Sequence, residues 1–185
     1  MDFKDYQERY FRTNPNYLAV YIANNLEFKT VIDLGCGSGN ETVYFLKKGK
    51  EVIAVDKVIN KEYFYSRIKD DKALTLVESA FEDFEFKKVD AIFATFALSF
   101  CEVDKFLELW NKLYEYLPSG GILAANLFGE RDYFASDETV NVFTKDEVLN
   151  LLSKYDVIKF KEQEYDQDAT VKHRHYYDFV AIKKG

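Results

Sequence analysis

A glycine-rich turn, followed at a fixed distance by an acidic residue, is the part of this chain best suited to bind a small ligand. Residues 31–39 read Val-Ile-Asp-Leu-Gly-Cys-Gly-Ser-Gly, so a β-branched run leads into glycines spaced as Gly-x-Gly-x-Gly. A second apolar run, residues 52–55, ends in Asp56, seventeen residues after Gly39. Strand, glycine turn, helix, strand and terminal acid together predict a nucleoside-binding unit of a doubly wound sheet.

Two positions in this unit narrow the choice of ligand. A dinucleotide fingerprint needs its third glycine one place later, where this chain has Asn40. Asp33, inside the first strand, repels a phosphate but attracts an ammonium or sulfonium cation. The sequence therefore predicts a cationic ligand that carries an adenosine, and it disfavours a nicotinamide-dependent oxidoreductase.

The only two histidines of the chain form a second group that could do chemistry. His173 and His175 stand next to Lys172 and Arg174, and the alternation of a strand puts both imidazoles on one face. Such a cluster either binds or deprotonates a substrate, or belongs to the surface of a hairpin. The sequence leaves both interpretations open.

The segments between these residues alternate between strand and helix patterns. Strands are predicted over residues 30–34, 51–55, 74–77, 91–95, 122–127, 157–164 and 175–183, and helices over 40–48, 60–69 and 103–117. An earlier helix opens at Asn14-Pro15, with Pro15 in its first turn and Leu18, Ile22 and Leu26 on one face. The last helix opens at the capping box Thr144-x-x-Glu147.

This order predicts the class of the fold. Alternating strands and helices give an α/β, largely parallel, doubly wound sheet with right-handed connections. The last two strands have no helix between them, so we expect a hairpin whose last strand is antiparallel. Ligands collect at the carboxyl ends of such strands, which makes Arg131 and Glu130, in the loop after the fifth strand, candidates for the mouth of a substrate site.

Composition limits the classes of protein that remain. The 185 residues are 48% hydrophobic, which suits one domain over residues 1–185, with 1–28 as an N-terminal helical segment or lid. A formal net charge of −7 argues against a nucleic-acid partner. Because we find neither a run of about 20 apolar residues nor a signal sequence, we expect a cytoplasmic protein without membrane contact. Cys36 and Cys101 are expected to be reduced and packed.

With these motifs in place, the chain resembles the class I S-adenosylmethionine-dependent methyltransferases over nearly its whole length. The resemblance lies in residues 31–39, Asp56, 78–84, 90–96, 117–121 and the terminal hairpin. Residues 95–101 and 127–132 look like the small single-domain tellurite-resistance-like and type 11-like subgroup. The resemblance implies a seven-stranded sheet of order 3-2-1-4-5-7-6, S-adenosylmethionine as cofactor and S-adenosylhomocysteine as product.

The resemblance also implies roles for individual positions around the methionine part of the cofactor. Asp33, Gly35, Cys36 and Gly37 would form the turn beneath it, with Asp33 reaching its ammonium group directly or through a water. The two glycines let the backbone approach closely, where a Cβ would clash. Tyr10 and Arg12, together with Tyr6, would fold over its carboxylate as a lid, or else belong to a solvated helix.

The remaining positions concern the nucleoside and the methyl group. Asp56 would accept both ribose hydroxyls. The residues that would flank the adenine are Lys57, Ala80 and Phe81. Many relatives have an acid where this chain has Ser79, so Glu82 or backbone atoms would contact the adenine amino group instead. Thr95 and Phe96 would face the reacting sulfonium, although both Phe81 and Phe96 also suit the core.

The reaction that the resemblance implies is in-line transfer of a methyl group to a small-molecule acceptor. Such a displacement depends mainly on alignment, which can contribute roughly 7–11 kcal/mol, and it needs a base only if the acceptor arrives protonated. His173, His175 and Arg131 are the candidates for that role. The segment after the fourth strand lacks the Asn/Asp-Pro-Pro-Tyr motif, which disfavours a planar exocyclic nitrogen as acceptor.

Two other functions stay open at this point. One is a non-catalytic protein that binds S-adenosylmethionine or S-adenosylhomocysteine, and the other is an RNA-modifying methyltransferase that acts with a partner. We expect a monomer or homodimer, and no metal ion.

Overall fold

A computed structural model describes residues 11, 13–68, 72–167 and 172–185. The strands in these residues are β1 (Thr30–Leu34), β2 (Glu51–Asp56), β3 (Leu74–Glu78), β4 (Ala91–Ala94), β5 (Ile122–Gly129), β6 (Val142–Phe143), β7 (Tyr155–Gln167) and β8 (Lys172–Lys183). The α-helices are α1 (Tyr17–Asn25), α2 (Asn40–Lys47), α3 (Lys61–Tyr65), α4 (Phe106–Tyr116) and α5 (Lys145–Leu151).

The strands form one sheet with the order β3-β2-β1-β4-β5-β8-β7. Strands β1 to β5 pair in parallel, whereas β8 runs antiparallel to both β5 and β7. This confirms the expected strand order and the antiparallel closing strand. The additional strand β6 pairs in parallel with the end of β5. It has only two residues, too few for a sequence pattern to reveal it.

Both faces of the sheet are covered by helices. Helix α4 packs Trp110 and Leu113 into the core on one face, and α1 and α2 contribute Leu18 and Phe45 to the core on the other. All four residues of β4 are buried, as expected for a strand in the middle of a sheet that is covered on both sides. None of the helices in the described ranges is both long enough and apolar enough to cross a bilayer.

Several helix boundaries differ from the sequence prediction. The helix predicted over residues 103–117 spans Phe106–Tyr116. Helix α1 begins at Tyr17 because Asn16 caps it, accepting from the backbone N–H of Leu18 at 2.9 Å; Pro15 therefore precedes the helix instead of lying in its first turn. The helix predicted over residues 60–69 extends only over Lys61–Tyr65, after which the chain continues in turns. The predicted capping box is present at α5.

Candidate functional site

The glycine turn lies at the carboxyl end of β1 and is hydrogen-bonded to β2. The backbone N–H groups of Gly35 and Cys36 both donate to the carbonyl of Val55, at 2.8 and 3.0 Å. Gly35 has φ +81°, and a Cβ at this position would lie 2.4 Å from the Cβ of Ala97. Only glycine allows the loop after β4 to approach the turn so closely.

Asp56 joins the end of β2 to the same turn. Its Oδ2 accepts a hydrogen bond from the backbone N–H of Gly37 at 2.8 Å, and the backbone N–H groups of Lys57 and Val58 also bond its carboxyl group. The structure therefore brings together the glycine turn and the acid that the sequence placed at the end of the second strand. Gly39, with φ +76°, precedes α2 at its N-cap position.

Three carboxyl groups are concentrated around this turn. Asp33 is buried and accepts a hydrogen bond from the Thr42 hydroxyl at 2.5 Å. Glu41, in the first turn of α2, accepts from the backbone N–H of Asn16 at 2.9 Å. Burial raises the pKa of Asp33, Glu41 and Asp56, and the pKa of Asp33 is raised further by the negative charges of Glu41 and Asp56.

The charges around the turn determine what it can bind. Arg67 and Lys57 are the cations that oppose the rise in pKa at Glu41 and Asp56, whereas none of the causes that the described residues exert on the pKa of Asp33 is a cation. Because a buried carboxylate without a cationic partner is unfavourable, an ammonium or sulfonium group would stabilise the ionised Asp33. A pyrophosphate would be repelled. The residues present fit the cofactor that the sequence resemblance implies.

Both cysteines are buried thiols. The pKa of Cys36 is raised well above its ordinary value by burial and by the acids around the turn. Burial and a hydrogen bond to Glu82 raise the pKa of Cys101 to about 12. Because the thiolate is the nucleophilic form, the structure favours a packing role for both side chains.

The segment after β3 carries the positions expected near an adenine. Phe81 is buried and Ala80 half-buried, while the Ser79 hydroxyl donates to the Ala80 carbonyl at 2.9 Å. Glu82 accepts from the backbone N–H of Glu102 through Oε1 at 2.8 Å. Its other oxygen, Oε2, is buried, and the Cys101 thiol also bonds this carboxyl group. Lys57 is exposed.

The loop after β4 holds a non-glycine residue in a left-handed conformation. Phe96 has φ 52°, which is uncommon for a bulky residue and requires support from its surroundings. That support comes from Asn126 on β5, whose side-chain oxygen accepts from the backbone N–H of Phe96 at 2.7 Å. Thr95 precedes it and is half-buried.

A buried carboxylate on β8 orients Asn126. Asp178 accepts from the Asn126 amide at 3.2 Å, from the Tyr17 hydroxyl at 2.8 Å and from the Gln163 amide at 3.1 Å. Because Tyr17 begins α1, this network links the N-terminal helix to Phe96. Sequence reasoning missed it, although a polar residue inside each of two buried apolar strands is a signal that partners must exist.

Arg131, in the loop after β5, lies against the β7–β8 hairpin that carries both histidines. His175 is buried; its Nδ1 accepts from the backbone N–H of Arg131 at 3.2 Å, and its Nε2 lies 3.1 Å from an oxygen of Glu162. Nε2 also lies 3.2 Å from Nη2 of Arg131. Arg131 donates to Glu164 at 2.8 Å and to Glu162 at 3.1 Å. Both ring nitrogens of His175 are therefore engaged.

His173 completes this group on the same face of β8. Its ring nitrogens lie 2.8 Å from Asp166 and 3.0 Å from Glu164, and these acids raise its pKa. Hydrogen bonds from Arg131 and His173 lower the pKa of Glu164 to about 2. Oxygens of Glu162 and Glu164 and a nitrogen of His175 lie within 4.8 Å of one another, and the Arg131 guanidinium bonds both carboxylates.

Part of the candidate lid lies outside the described residues, namely Tyr6, Tyr10 and Arg12. The ring of Phe11 stacks on that of Tyr63 with centroids 4.3 Å apart, and Arg67 lies over Phe11 at 4.9 Å. Arg67 also donates to the carbonyl of Ser38 and to the Asn40 side chain. Tyr63 of α3 and Arg67, two residues after its end, therefore link Phe11 to the glycine turn.

Comparison with known proteins agrees with this geometry. A family model described as a methyltransferase domain matches residues 31–121. The probable S-adenosylmethionine-dependent methyltransferase CRG1 of Saccharomyces cerevisiae is 24% identical in an alignment 150 residues long, which covers 74% of this chain and 50% of the yeast protein. The chain thus spans half the length of that relative.

Solved structures share the fold. The 1,6-didemethyltoxoflavin-N1-methyltransferase of Burkholderia thailandensis, crystallised with 1,6-didemethyltoxoflavin and S-adenosylhomocysteine, is 20% identical with a TM-score of 0.71 over 92% of this chain and 78% of that chain. TehB of Haemophilus influenzae is 17% identical with a TM-score of 0.79 over 99% of this chain and 68% of that chain.

The family match, the fold and the glycine turn agree with one another. Residues 31–121 match the methyltransferase domain family, and the strand order is that of the solved methyltransferases. Together these findings support methylation that depends on S-adenosylmethionine.

Proposed function

We propose that this protein transfers a methyl group from S-adenosylmethionine to a small-molecule acceptor by in-line displacement. The observation that carries the proposal is the group of acids with raised pKa values around the glycine turn, Asp33, Glu41 and Asp56. S-adenosylmethionine supplies an electrophilic methyl group on a sulfonium, and its positive charges suit this environment.

The chain's own residues would hold the cofactor along the carboxyl ends of β1 to β4. Asp33 would bond the ammonium group, and Asp56 would accept from the ribose hydroxyls, a role that suits a carboxylate. Lys57, Ala80 and Phe81 would flank the adenine. Glu82, three residues after Ser79, would accept from the adenine amino group in place of the acid missing at Ser79.

Alignment of the reacting groups would fall to the loop after β4. Asn126 fixes the backbone of Phe96 through its N–H, and Asp178 fixes Asn126. We assign both as positioning residues, since they act through Phe96. An aromatic ring face attracts a sulfonium without reacting with it, so Phe96 suits a place beside the methyl group.

We propose a structural role for the histidines and Arg131. A general base must have a free nitrogen within reach of the proton that it removes. Both nitrogens of His175 are occupied within the hairpin, and His173 lies between two carboxylates. The transfer would then proceed without a histidine base.

The small-molecule acceptor is supported by two observations. The net charge of −7 disfavours a nucleic acid, and the similar enzyme of Burkholderia thailandensis was crystallised with a small heterocyclic compound. One domain over residues 1–185, a cytoplasmic location and a monomer or homodimer stay predictions of the sequence.

Two measurements on the full chain test this function. Calorimetry should show binding of S-adenosylhomocysteine, and incubation with S-adenosylmethionine and a library of small metabolites should release S-adenosylhomocysteine with at least one of them. Binding without turnover on any acceptor, RNA included, would favour the non-catalytic alternative. Turnover on RNA only in the presence of a partner protein would favour the RNA-modifying alternative.

A further inference from the structure

A cluster of aromatic side chains surrounds one arginine beyond the ends of β5 and β8. The guanidinium carbon of Arg174 lies 5.2 to 5.9 Å from four ring centroids, within the range of cation–π attraction. The rings belong to Phe96, Phe128, Phe134 and Tyr176. Phe128 and Phe134 stack with an interplanar angle of 10°, so the cluster already contains a pair of parallel faces.

The hydrogen bonds of Arg174 are incomplete. Its Nε donates to Asp132 at 3.0 Å, and only 16% of its side chain is exposed. Its Nη2 is buried and has no hydrogen-bond partner among the described residues. Leaving a buried donor unpaired costs about 1–3 kcal/mol. A ligand atom that accepts a hydrogen bond would remove this cost.

Asp132 fixes the position of Arg174 through the hydrogen bond from the arginine Nε. Its side chain is fully buried and also accepts from the backbone N–H groups of His175 and Phe134, at 2.8 and 3.1 Å. The carboxylate therefore fixes the guanidinium and balances its charge. The Nη2 group of Arg174 is a directional donor in apolar surroundings. A hydrogen bond there is electrostatically stronger than in water.

The position of the cluster connects it to the reaction. Phe96 belongs both to the cluster and to the loop after β4, and its ring contacts that of Tyr176 edge-on at 5.1 Å. Thr95, the preceding residue, is the position that would face the sulfonium. The rings of Phe128 and Tyr176 also come from β5 and β8, at the end of the sheet where ligands of doubly wound folds bind.

We propose that this cluster is the acceptor site, and that it takes a planar ring compound bearing an oxygen that accepts a hydrogen bond from Arg174. The inference rests on the proposed function, because it assigns the acceptor class of the same site. Stacked and edge-on rings select a flat ring over an aliphatic one. Because Asp132 already balances the charge of Arg174, a carbonyl oxygen and a carboxylate both fit the donor.

The test measures binding of simple probes to the full chain saturated with S-adenosylhomocysteine. The probes are 4-hydroxybenzoate, 4-hydroxybenzamide and cyclohexanecarboxylate, titrated by calorimetry. We expect both aromatic probes to bind and cyclohexanecarboxylate to bind at least about tenfold more weakly. Arg174→Gln should weaken both aromatic probes by about tenfold or more.

A matched control distinguishes the effect of the Arg174 hydrogen bond on probe binding from the effect of removing any positive charge. Lys172 lies two residues earlier on β8, is exposed, and carries its ammonium 4.6 Å from the ring centroid of Tyr133. Lys172→Gln should leave the affinity for the aromatic probes within about twofold. Phe134→Leu keeps Arg174 but removes one ring of the cluster. It should weaken the binding of the aromatic probes and leave the binding of cyclohexanecarboxylate unchanged. Unchanged affinity for S-adenosylhomocysteine shows that each variant is folded.

The outcomes distinguish this inference from the proposed function. Binding of S-adenosylhomocysteine without binding of either aromatic probe overturns the acceptor assignment and leaves the function standing. The acceptor assignment is also overturned if Arg174→Gln and Lys172→Gln lose equal affinity for the aromatic probes, or if neither variant loses affinity. If the wild-type chain binds no S-adenosylhomocysteine, the proposed function itself fails.

Discussion

The glycine turn and the β7–β8 hairpin both concentrate acidic side chains, yet their acids behave in opposite ways. Around the turn, burial raises the pKa values of Asp33, Glu41 and Asp56. On the hairpin, hydrogen bonds from His175 and Arg131 lower the pKa values of Glu162 and Glu164 respectively. The acids around the turn are only partly balanced by cations of the described residues, so they suit a positively charged ligand. The acids of the hairpin are bonded by Arg131 and the histidines, which neutralise their charge. Residue type alone does not distinguish a binding site from a surface ion cluster; the local balance of charge does.

Removing the acid at the end of β2 should have the largest effect on cofactor binding. Asp56→Ala deletes two expected hydrogen bonds to the ribose and the anchor of the Gly37 N–H. Each hydrogen bond to a charged group contributes about 1.5–3 kcal/mol, so we expect the affinity for S-adenosylhomocysteine to fall about a hundredfold or more in calorimetry. Glu164→Ala, which removes an acid from the hairpin, is the control and should leave that affinity within about twofold. Equal affinity of wild type and Asp56→Ala would exclude the ribose assignment.

Asp33→Asn should affect binding and stability in opposite directions. It should weaken S-adenosylhomocysteine binding about tenfold, since it removes the charge that faces the ammonium group. Burial raises the folded-state pKa of Asp33 above its ordinary value of 3.8. The ionised form therefore destabilises the folded protein increasingly as pH rises above about 4. We expect Asp33→Asn to stabilise the unliganded protein by about 1 kcal/mol or more at neutral pH.

Urea unfolding at several pH values and calorimetry in buffers of different ionisation enthalpy check this prediction. The stability gain of Asp33→Asn should shrink as pH falls toward 4, where the carboxyl group is increasingly protonated in the unfolded wild type as well as in the folded one. Binding to wild type should release protons near neutral pH, and binding to the variant should release fewer. An Asp33→Asn variant that is less stable than wild type at pH 8 would contradict the proposed electrostatic environment of Asp33. The acids of the turn and those of the hairpin would then not differ in the way proposed.

The smallest effects are expected on the hairpin. Arg131→Gln removes the cation that bonds Glu162 and Glu164, but the group is exposed, and exposed ion pairs contribute little to stability. We expect a small lowering of Tm that diminishes in high salt, and no change in affinity for S-adenosylhomocysteine. A marked loss of cofactor affinity would mean that Arg131 belongs to the binding site and that the two regions act together.

Much of the fold and the position of the glycine turn were predictable because their signals are local. The glycine spacing, the apolar runs and the Thr144-x-x-Glu147 capping box depend on residues close in sequence, and all appear where expected. Other features could not be predicted. Asn126, Asp178 and Tyr17 come from three separate elements, and nothing in their local sequence states which partners they will meet. The two-residue strand β6 exists only because the end of β5 offers it a neighbour.

The sequence by itself determined the order of strands and helices and the position of the glycine turn, since a glycine turn at the end of a strand and an acid at the end of the next are fixed by short-range geometry. Only the tertiary structure decided which acids are buried and which are bonded by cations. It placed Asp33 in a buried environment and surrounded Glu164 with Arg131 and His173. It also gathered four aromatic rings around Arg174 from β5, β8 and two loops. The physical reason is that burial and charge balance depend on neighbours distant in sequence.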